Sequence, residues 1–143
     1  MSDRNGYYIE DLKPGMSASY GKTVGEADIV LFAGVSGDTN PVHLDEDYAK
    51  ATMFKTRIAH GMLSAGFIST VLGTKLPGPG AIYMSQNLKF KAPVKIGDTV
   101  LATCTVTEVI AEKKRAVLST VCKVGDTVVI EGEAMVMVPS RAK

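Results

Sequence analysis

The stretch from His60 to Gly73 constrains the fold of this chain more than any other. Bulky apolar side chains alternate there with glycine, alanine and serine, and no charged residue follows until Lys75. A helix without a polar face is typically buried on all sides. The many small side chains favour close packing on a flat surface, such as a β-sheet. We therefore predict a long buried helix that begins at His60 and ends near Gly73.

The rest of the chain indicates β-structure and two shorter helices. Alternating or β-branched residues between turn signals predict strands at 16–23, 81–91, 98–110, 115–124 and 127–138. Gly125-Asp126 is a strong hairpin signal between the last two strands. Helices are predicted at 26–36, with a capping box of Thr23 and Glu26, and at 46–51. Short links imply antiparallel neighbours, so we expect an α+β fold: a curved antiparallel sheet with the buried helix lying across it.

Composition and charge favour one ordinary globular domain that covers residues 1–143. Of the 143 residues, 45% are hydrophobic and 22% are charged. The net charge of +1 argues against a nucleic-acid-binding surface. No segment approaches the roughly 18 apolar residues of a membrane span, and the N-terminal segment Met1 to Tyr8 lacks the apolar centre of a signal peptide. We expect a soluble cytoplasmic protein without nucleic-acid or membrane partners.

The two cysteines, Cys104 and Cys122, fall inside predicted strands. They could face each other across a hairpin, but two free core thiols in a reducing cytosol are the ordinary interpretation. Neither belongs to a pattern typical of a structural zinc site.

The decapeptide from Ser36 to Asp45 concentrates polar chemistry in a turn-rich segment. Asp38 and His43 lie five residues apart across Asn40-Pro41, so the turn can bring both side chains to one side. A carboxylate and an imidazole that share one water can remove a proton from it and deliver a proton elsewhere, which is the equipment for adding water to a double bond. Alternatively, Asp38 caps a turn and His43 is a surface histidine. Asn40 either orients the water or holds the loop by an Asx-type bond.

The second candidate segment is the start of the long helix. The Gly61 amide would be one of the unpaired donors at the positive end of that helix, where a thioester oxygen that gains negative charge is stabilised. Glycine also allows close ligand approach, or merely tight packing. We expect this segment to meet the decapeptide in space, with His60 as the structural start of the helix. Ser69, two turns further on, either faces the same cavity or bonds back to the helix backbone.

A metal site is a weaker alternative. Zinc could in principle bind Asp38, His43, Asp45 and His60, but their spacing is not a recognised ligand pattern. The serines of the helix also lack the G-x-S-x-G setting of a hydrolase nucleophile. We therefore expect neither a metal nor another cofactor.

The segment from Phe32 to His43, followed by Ala49, resembles the hydratase 2 motif of the MaoC-like (R)-specific enoyl-CoA hydratases. The similarity extends from about Leu12 to Val138 and includes the start of the long helix. The resemblance implies the hot-dog fold, in which a long central helix is wrapped by a curved antiparallel β-sheet. It also implies reversible hydration of trans-2-enoyl-CoA to (R)-3-hydroxyacyl-CoA, and kinship with the short hydratases that feed polyhydroxyalkanoate synthesis.

The same resemblance implies roles for individual residues. Asp38 and His43 would be the catalytic pair, Asn40 would orient the water, and the Gly61 amide would hold the thioester oxygen. Ser69 and Met62 are expected near the acyl-CoA substrate, and the protein is expected to be a homodimer. The coenzyme phosphates would meet cations, for which the sequence offers Lys55, Arg57, Lys89 and Lys91, or these are ordinary solvated charges.

Two functions of other classes stay open at this point. A hot-dog thioesterase would need a carboxylate placed for attack on a thioester, and it would release a free thiol. A non-catalytic acyl-CoA-binding subunit would bind acyl-CoA without consuming the enoyl absorbance.

Overall fold

The structure, a computed structural model, describes residues 6–142. The first five residues and Lys143 of the expected domain lie outside the described part, as does most of the segment for which no signal peptide is expected. No helix within residues 6–142 is long and apolar enough to cross a membrane.

One five-stranded antiparallel sheet forms the body of the protein. The strands are β1 (Ser17–Thr23), β2 (Ile82–Phe90), β3 (Thr99–Ile110), β4 (Arg115–Val124) and β5 (Thr127–Met137). Their order across the sheet is β1-β3-β4-β5-β2. Hairpins join the three central strands, because turns at 111–114 and 125–126 return the chain directly onto its neighbour. The predicted α+β architecture, the five strands and the hairpin at Gly125-Asp126 are confirmed.

Within residues 6–142, four α-helices precede the second strand. They are α1 (Glu26–Ser36), the one-turn α2 (Pro41–Leu44), α3 (Glu46–Lys50) and α4 (Gly61–Thr74). Helix α4 lies across the sheet, and its side chains Phe67, Ile68, Val71 and Leu72 are buried there. They share one core with apolar side chains of the strands, among them Val100, Leu118, Ile130 and Val136.

The prediction that α4 is buried on all sides is wrong. A stripe along the helix is exposed, formed by Met62, Gly66, Ser69 and Gly73. The sheet covers only one side of the helix, and nothing within residues 6–142 covers this stripe. Apolar composition predicted burial of the helix correctly as a whole but gave no information on which face lacks a partner.

Strand β2 forms an edge of the sheet. It pairs with β5 on one side, and no strand among the described residues pairs with its other side. Its register shifts between Tyr83 and Ser85, and the large apolar side chains of Ile82, Met84 and Phe90 are exposed. The alternation that predicts this strand therefore does not mark a face buried within the chain.

The start of α1 differs from the predicted capping box. Gly25 is the N-cap residue, and its N–H donates to Asp28 Oδ2 at 2.9 Å. Thr23 instead belongs to β1, where its hydroxyl hydrogen-bonds to Thr99 Oγ1 at 2.6 Å. The Gly25 N–H and the nearby Lys22 hold the pKa of Asp28 below its usual value. Because the strand continues through Thr23, this residue cannot cap the helix. Asp28, and not Glu26, is the acidic residue that accepts the N-cap N–H.

Candidate active site

The loop after α1 presents the Asp38 carboxylate to solvent. Helix α1 ends at Gly37, whose φ of 81° lies in the left-handed region and whose N–H donates to the Ala33 carbonyl at 2.8 Å. The Ser36 hydroxyl accepts the Asp38 N–H at 3.1 Å. Asp38 Oδ1 in turn accepts the Asn40 N–H at 3.2 Å. These local bonds hold the exposed carboxylate in place immediately outside the helix end.

Helix α2 carries His43 inward. Asn40 is its N-cap residue, with Oδ1 accepting the Val42 N–H at 3.0 Å, and Pro41 occupies the first helical position. One turn then places His43 near the end of the helix, where it is 9% exposed. The loop-holding role considered for Asn40 is therefore present, and its side-chain N–H groups are not used by this cap.

The ring and backbone of His43 are fixed from two sides. Nδ1 lies 2.8 Å from the Ile58 carbonyl oxygen. A carbonyl only accepts, so Nδ1 carries the proton of this bond and Nε2 of the neutral ring keeps its lone pair, the arrangement of a base. Arg57 Nε donates to the His43 carbonyl at 2.6 Å, and the same guanidinium lies 2.8 Å from Glu26 Oε2.

The segment that supplies these contacts is itself anchored. Glu46 accepts hydrogen bonds from the Arg57 N–H at 3.1 Å and from the Thr56 hydroxyl at 2.9 Å. These bonds, the Arg57 N–H foremost, hold the pKa of Glu46 below its usual value. Arg57 is thus turned inward and binds a carbonyl and a carboxylate of its own chain.

His60 packs against both His43 and the main chain of Asp38. It is 2% exposed and stacks on the His43 ring, with centroids 3.9 Å apart and planes inclined by 29°. Its Nε2 lies 2.9 Å from the Asp38 carbonyl oxygen, and Phe32 covers its ring at 4.7 Å between centroids. The structure therefore brings the decapeptide and the start of α4 together, as expected from the sequence.

The cluster of Asp38, His43 and His60 meets a distance requirement for metal binding but not the directional one. One ligand atom from each lies within 4.8 Å of the others. Imidazole lone pairs lie in the ring plane, however, so two stacked rings cannot direct theirs at one ion about 2 Å from each nitrogen. Asp45, the fourth candidate, instead caps α3 by accepting the Tyr48 N–H at 3.2 Å. These residues do not fit a bound zinc ion.

Gly61 opens an apolar cavity next to this cluster. It is the first residue of α4, so its N–H has no acceptor within the helix. A cavity of about 480 Å³ begins here, lined by His60, Gly61, Met62, Phe90 and Ile130 among others. A Cβ on Gly61 would lie 2.6 Å from two atoms of the Phe90 ring, so glycine is required for this packing. Close ring packing and an available amide occur here together.

Ser69 lies apart from the Asp38–His43 pair. Eight residues of helix separate it from Gly61, about 12 Å along the axis. It lines a second groove of about 460 Å³ between α4 and β2, together with Met62, Tyr83 and Met84. Met62 lines both cavities and therefore lies between the two predicted substrate-binding positions.

Sequence reasoning missed three contributors to this site. Arg57 was a candidate for phosphate binding, and neither Phe32 nor the Ile58 carbonyl was considered. No local pattern indicates that a residue 14 positions after His43 supports its backbone, because tertiary packing creates that contact. Phe32 could have been found, since it lies six residues before Asp38 on the predicted apolar side of α1.

Comparison with known proteins shows the family of this chain. Residues 11–131 match the MaoC-like domain. Over 135 residues, or 94% of both chains, the sequence is 68% identical to an (R)-specific enoyl-CoA hydratase of Rhodospirillum rubrum. This chain belongs to the MaoC-like hydratase family. The family assignment also makes it an enzyme of the hydro-lyase class.

Other relatives agree with the family assignment. A 3-hydroxybutyryl-CoA dehydratase of Methylorubrum extorquens is 53% identical and is matched over 94% of this chain and 85% of its own. The solved R-hydratase of Aeromonas caviae involved in polyhydroxyalkanoate biosynthesis superposes with a TM-score of 0.88 at 42% identity, over 91% of this MaoC-like chain and 99% of its own. The expected hot-dog fold is confirmed.

Proposed function

We propose that this MaoC-like hydratase adds water reversibly to trans-2-enoyl-CoA and forms (R)-3-hydroxyacyl-CoA. The observation that carries the proposal is the placement of the Asp38 carboxylate and His43 within 4.8 Å of each other, with the Gly61 amide directly after His60, whose ring stacks on His43. Hydration needs an acid–base pair around one water and a donor for the thioester oxygen. The named activities of the Rhodospirillum and Methylorubrum relatives support the same reaction.

The side chains divide the proton transfers between them. One member of the Asp38–His43 pair takes a proton from water as the water oxygen bonds to carbon 3. The electron pair of the double bond moves towards the thioester, and the other member, which starts the cycle in its protonated form, delivers that proton to carbon 2. The product gains a hydroxyl group at carbon 3 and a hydrogen at carbon 2, which together equal one water, and proton exchange with solvent returns the pair to its starting state.

One backbone donor and one side-chain donor complete the site. The Gly61 N–H, at the positive end of α4, binds the thioester oxygen while it carries negative charge. The amide nitrogen of Asn40 orients the attacking water, because its oxygen is already used to cap α2. No cofactor takes part, and coenzyme A enters as a portion of the substrate.

The acyl-CoA occupies the two surfaces that meet at Met62. The cavity beginning at Gly61 is mostly apolar and suits the acyl chain or the pantetheine arm. The groove that contains Ser69 continues from it along α4. Lys91 lines the cavity and forms an exposed ion pair with Glu131 at 3.3 Å, and Lys89 lies near the end of β2. These two lysines are our candidates for the coenzyme phosphates, whereas Arg57 is turned inward and bound to its own chain.

We further propose a homodimer. The exposed stripe of α4 and the open edge of β2 lie together, and the edge carries the exposed side chains of Ile82, Met84 and Phe90. A second copy that covers them would bury an apolar surface and remove an unpaired strand edge. Sedimentation velocity at micromolar concentration should show a dimer. Met84→Lys should yield monomers and Leu101→Lys, an equally exposed leucine on β3, should not; a monomeric parent chain contradicts the proposal.

We place the enzyme in the cytoplasm. Cys104 and Cys122 are free buried thiols, as expected for a protein of a reducing compartment. Acyl-CoA is also the substrate class that such a compartment offers.

The test is a spectrophotometric hydration assay with crotonyl-CoA and longer trans-2-enoyl-CoA substrates, followed by chiral analysis of the product. We expect loss of the enoyl absorbance, an (R)-3-hydroxyacyl product and no free thiol. Thiol release would indicate a thioesterase. Binding of acyl-CoA without loss of absorbance would indicate a binding subunit. Full activity in the presence of a chelator is expected, and loss of activity that zinc restores would revive the metal alternative.

A further inference from the structure

His60 makes contacts that starting a helix does not require. It is the N-cap residue of α4, yet its side chain makes no hydrogen bond to the helix amides. Serine, threonine, asparagine and aspartate are favoured at such positions because they make that bond. The imidazole instead binds the Asp38 carbonyl through Nε2 at 2.9 Å and stacks on the His43 ring at 3.9 Å. Helix capping therefore does not explain the choice of histidine.

The hydrogen bonds define which nitrogen of His60 carries the proton. The Asp38 carbonyl only accepts, so Nε2 is the donor. Nδ1 is buried and has no hydrogen-bond partner among residues 6–142. An unpaired buried polar atom carries a desolvation cost, which a protein retains where the group has another use. Here the ring lacks one hydrogen bond, while its other nitrogen binds the main chain of Asp38 and its face contacts the His43 ring.

We propose that His60 is a positioning residue for the hydration described above, an inference that rests on the proposed function. One rigid ring fixes the main chain of Asp38 through Nε2 and the plane of the His43 ring through stacking. Phe32 covers the ring at 4.7 Å and, together with the sheet-bound start of α4, keeps it in place. The relative placement of carboxylate and imidazole thus depends on a side chain that takes no part in the proton transfers proposed above.

Three substitutions separate the two contacts of the ring. His60→Gln keeps an N–H near the position of Nε2 but loses the stacked ring. His60→Phe keeps a ring and loses the donor. His60→Asn is too short to reach the Asp38 carbonyl and also has no ring. We expect His60→Asn to lower kcat about 100-fold, because a displacement of about 1 Å at a catalytic group has this effect, with KM for crotonyl-CoA changed by less than about threefold. His60→Gln and His60→Phe should each recover part of the lost kcat.

A double-mutant cycle tests whether His60 acts through His43. In a His43→Ala background the pair no longer exists, so adding His60→Asn should lower the residual kcat by no more than about threefold. Thr120→Val serves as the structural control. Thr120 is also buried and hydrogen-bonded, but it lies in β4 and its hydroxyl accepts a hydrogen bond from the side chain of Gln86. This substitution should lower the melting temperature and leave kcat unchanged.

Histidine NMR supplies a readout that does not depend on activity. The chain has two histidines, so in His60→Asn all remaining histidine signals belong to His43. The ¹H–¹⁵N spectrum of the parent protein should show an Nδ1–H tautomer for His43 and an Nε2–H tautomer for His60. In His60→Asn the His43 signals should shift or become heterogeneous, whereas they should stay in place in Thr120→Val.

The outcomes are distinct. A parent enzyme without hydratase activity refutes the proposed function, while the NMR result still decides whether His60 orders the His43 ring. An active parent enzyme with unchanged kcat in folded His60→Asn overturns the positioning role. The positioning role is also overturned if the kcat of His60→Asn falls only in proportion to its unfolded fraction, or if His60→Asn lowers kcat by a further 100-fold in the His43→Ala background.

Discussion

Substitution of Gly61 separates the catalytic use of the start of α4 from its structural use. In Gly61→Ala the new Cβ would lie 2.6 Å from Cδ1 and Cε1 of Phe90. Carbon atoms pack at about 3.5–4.0 Å, so the ring must move outward by roughly 1 Å. Phe90 lines the open cavity beside Gly61, so the ring has space for this movement.

The expected magnitudes for stability and activity differ strongly. Alanine favours the helix by up to about 1 kcal/mol relative to glycine, which offsets the displaced ring, so the free energy of unfolding should change by less than about 1 kcal/mol. The methyl group, however, stands beside the amide that binds the thioester oxygen. Loss of one such donor typically lowers kcat by about 10²–10³, and we expect about 100-fold.

The assay compares kcat for crotonyl-CoA hydration with the midpoint of urea unfolding for the same samples. Gly34→Ala in α1 is the matched control, since its Cβ would have no atom within 4 Å. It should stabilise the protein slightly and leave kcat unchanged. Phe90→Ala combined with Gly61→Ala removes the collision without removing the methyl group. A folded Gly61→Ala enzyme with kcat within about threefold of the parent would refute the role of this amide.

The remaining predictions concern the sheet, the contacts of Arg57 and the two thiols. Gly132→Ala would place a Cβ 1.9 Å from the Asn87 carbonyl oxygen, so we expect a loss of about 3 kcal/mol or more in the free energy of unfolding, measured by urea titration. Arg57→Lys cannot keep both guanidinium contacts, so we expect a loss of about 2 kcal/mol in the same titration and a lower kcat. Burial raises the pKa of Cys104 and Cys122 to about 12. Above a pH of about 8.5 the unfolded chain loses thiol protons that the folded chain keeps, so the free energy of unfolding should fall as pH rises. A thiol reagent at pH 8 should label these cysteines only after denaturant is added, and rapid labelling of the native protein would contradict their burial.

Local patterns predicted most of the secondary structure. Helix 26–36 and strand 115–124 have the predicted bounds. Each of the other strands differs from its predicted bounds by one residue, at one end or at both. These elements are bounded by glycine, proline or charged turns that act within a few residues of the chain. The one-turn helix α2 was not predicted, because proline and the Asn40 cap give the same signals as a plain turn. The capping box failed for a related reason: Thr23 satisfies its hydroxyl across the sheet, a partner 76 residues away.

Tertiary relations were predicted less completely. The sequence indicated that the decapeptide and the start of α4 meet, because the two histidines and the candidate acid–base and amide groups fall in these two segments. It did not indicate the stacking of His60 on His43, the support of His43 by Arg57, or the distance of Ser69 from the pair. The apolar character of α4 was one ground for expecting a second subunit, but the sequence did not show which residues of the helix the sheet leaves exposed, because an apolar helix has the same pattern whether its own sheet or a second subunit covers it. These features arise from side chains distant in sequence, for which periodicity carries no signal.

The most direct test of the catalytic pair is the initial rate of crotonyl-CoA hydration by Asp38→Asn and by His43→Ala. Asp47→Asn, which changes an exposed carboxylate near the same loop, is the matched control. General acid–base groups contribute about 10²–10⁴ to the rate, so each variant of the pair should be at least about 100-fold slower than the parent, and the control should be unchanged. Near-normal hydration by either variant, in a sample shown to be folded, would contradict the assignment of Asp38 and His43.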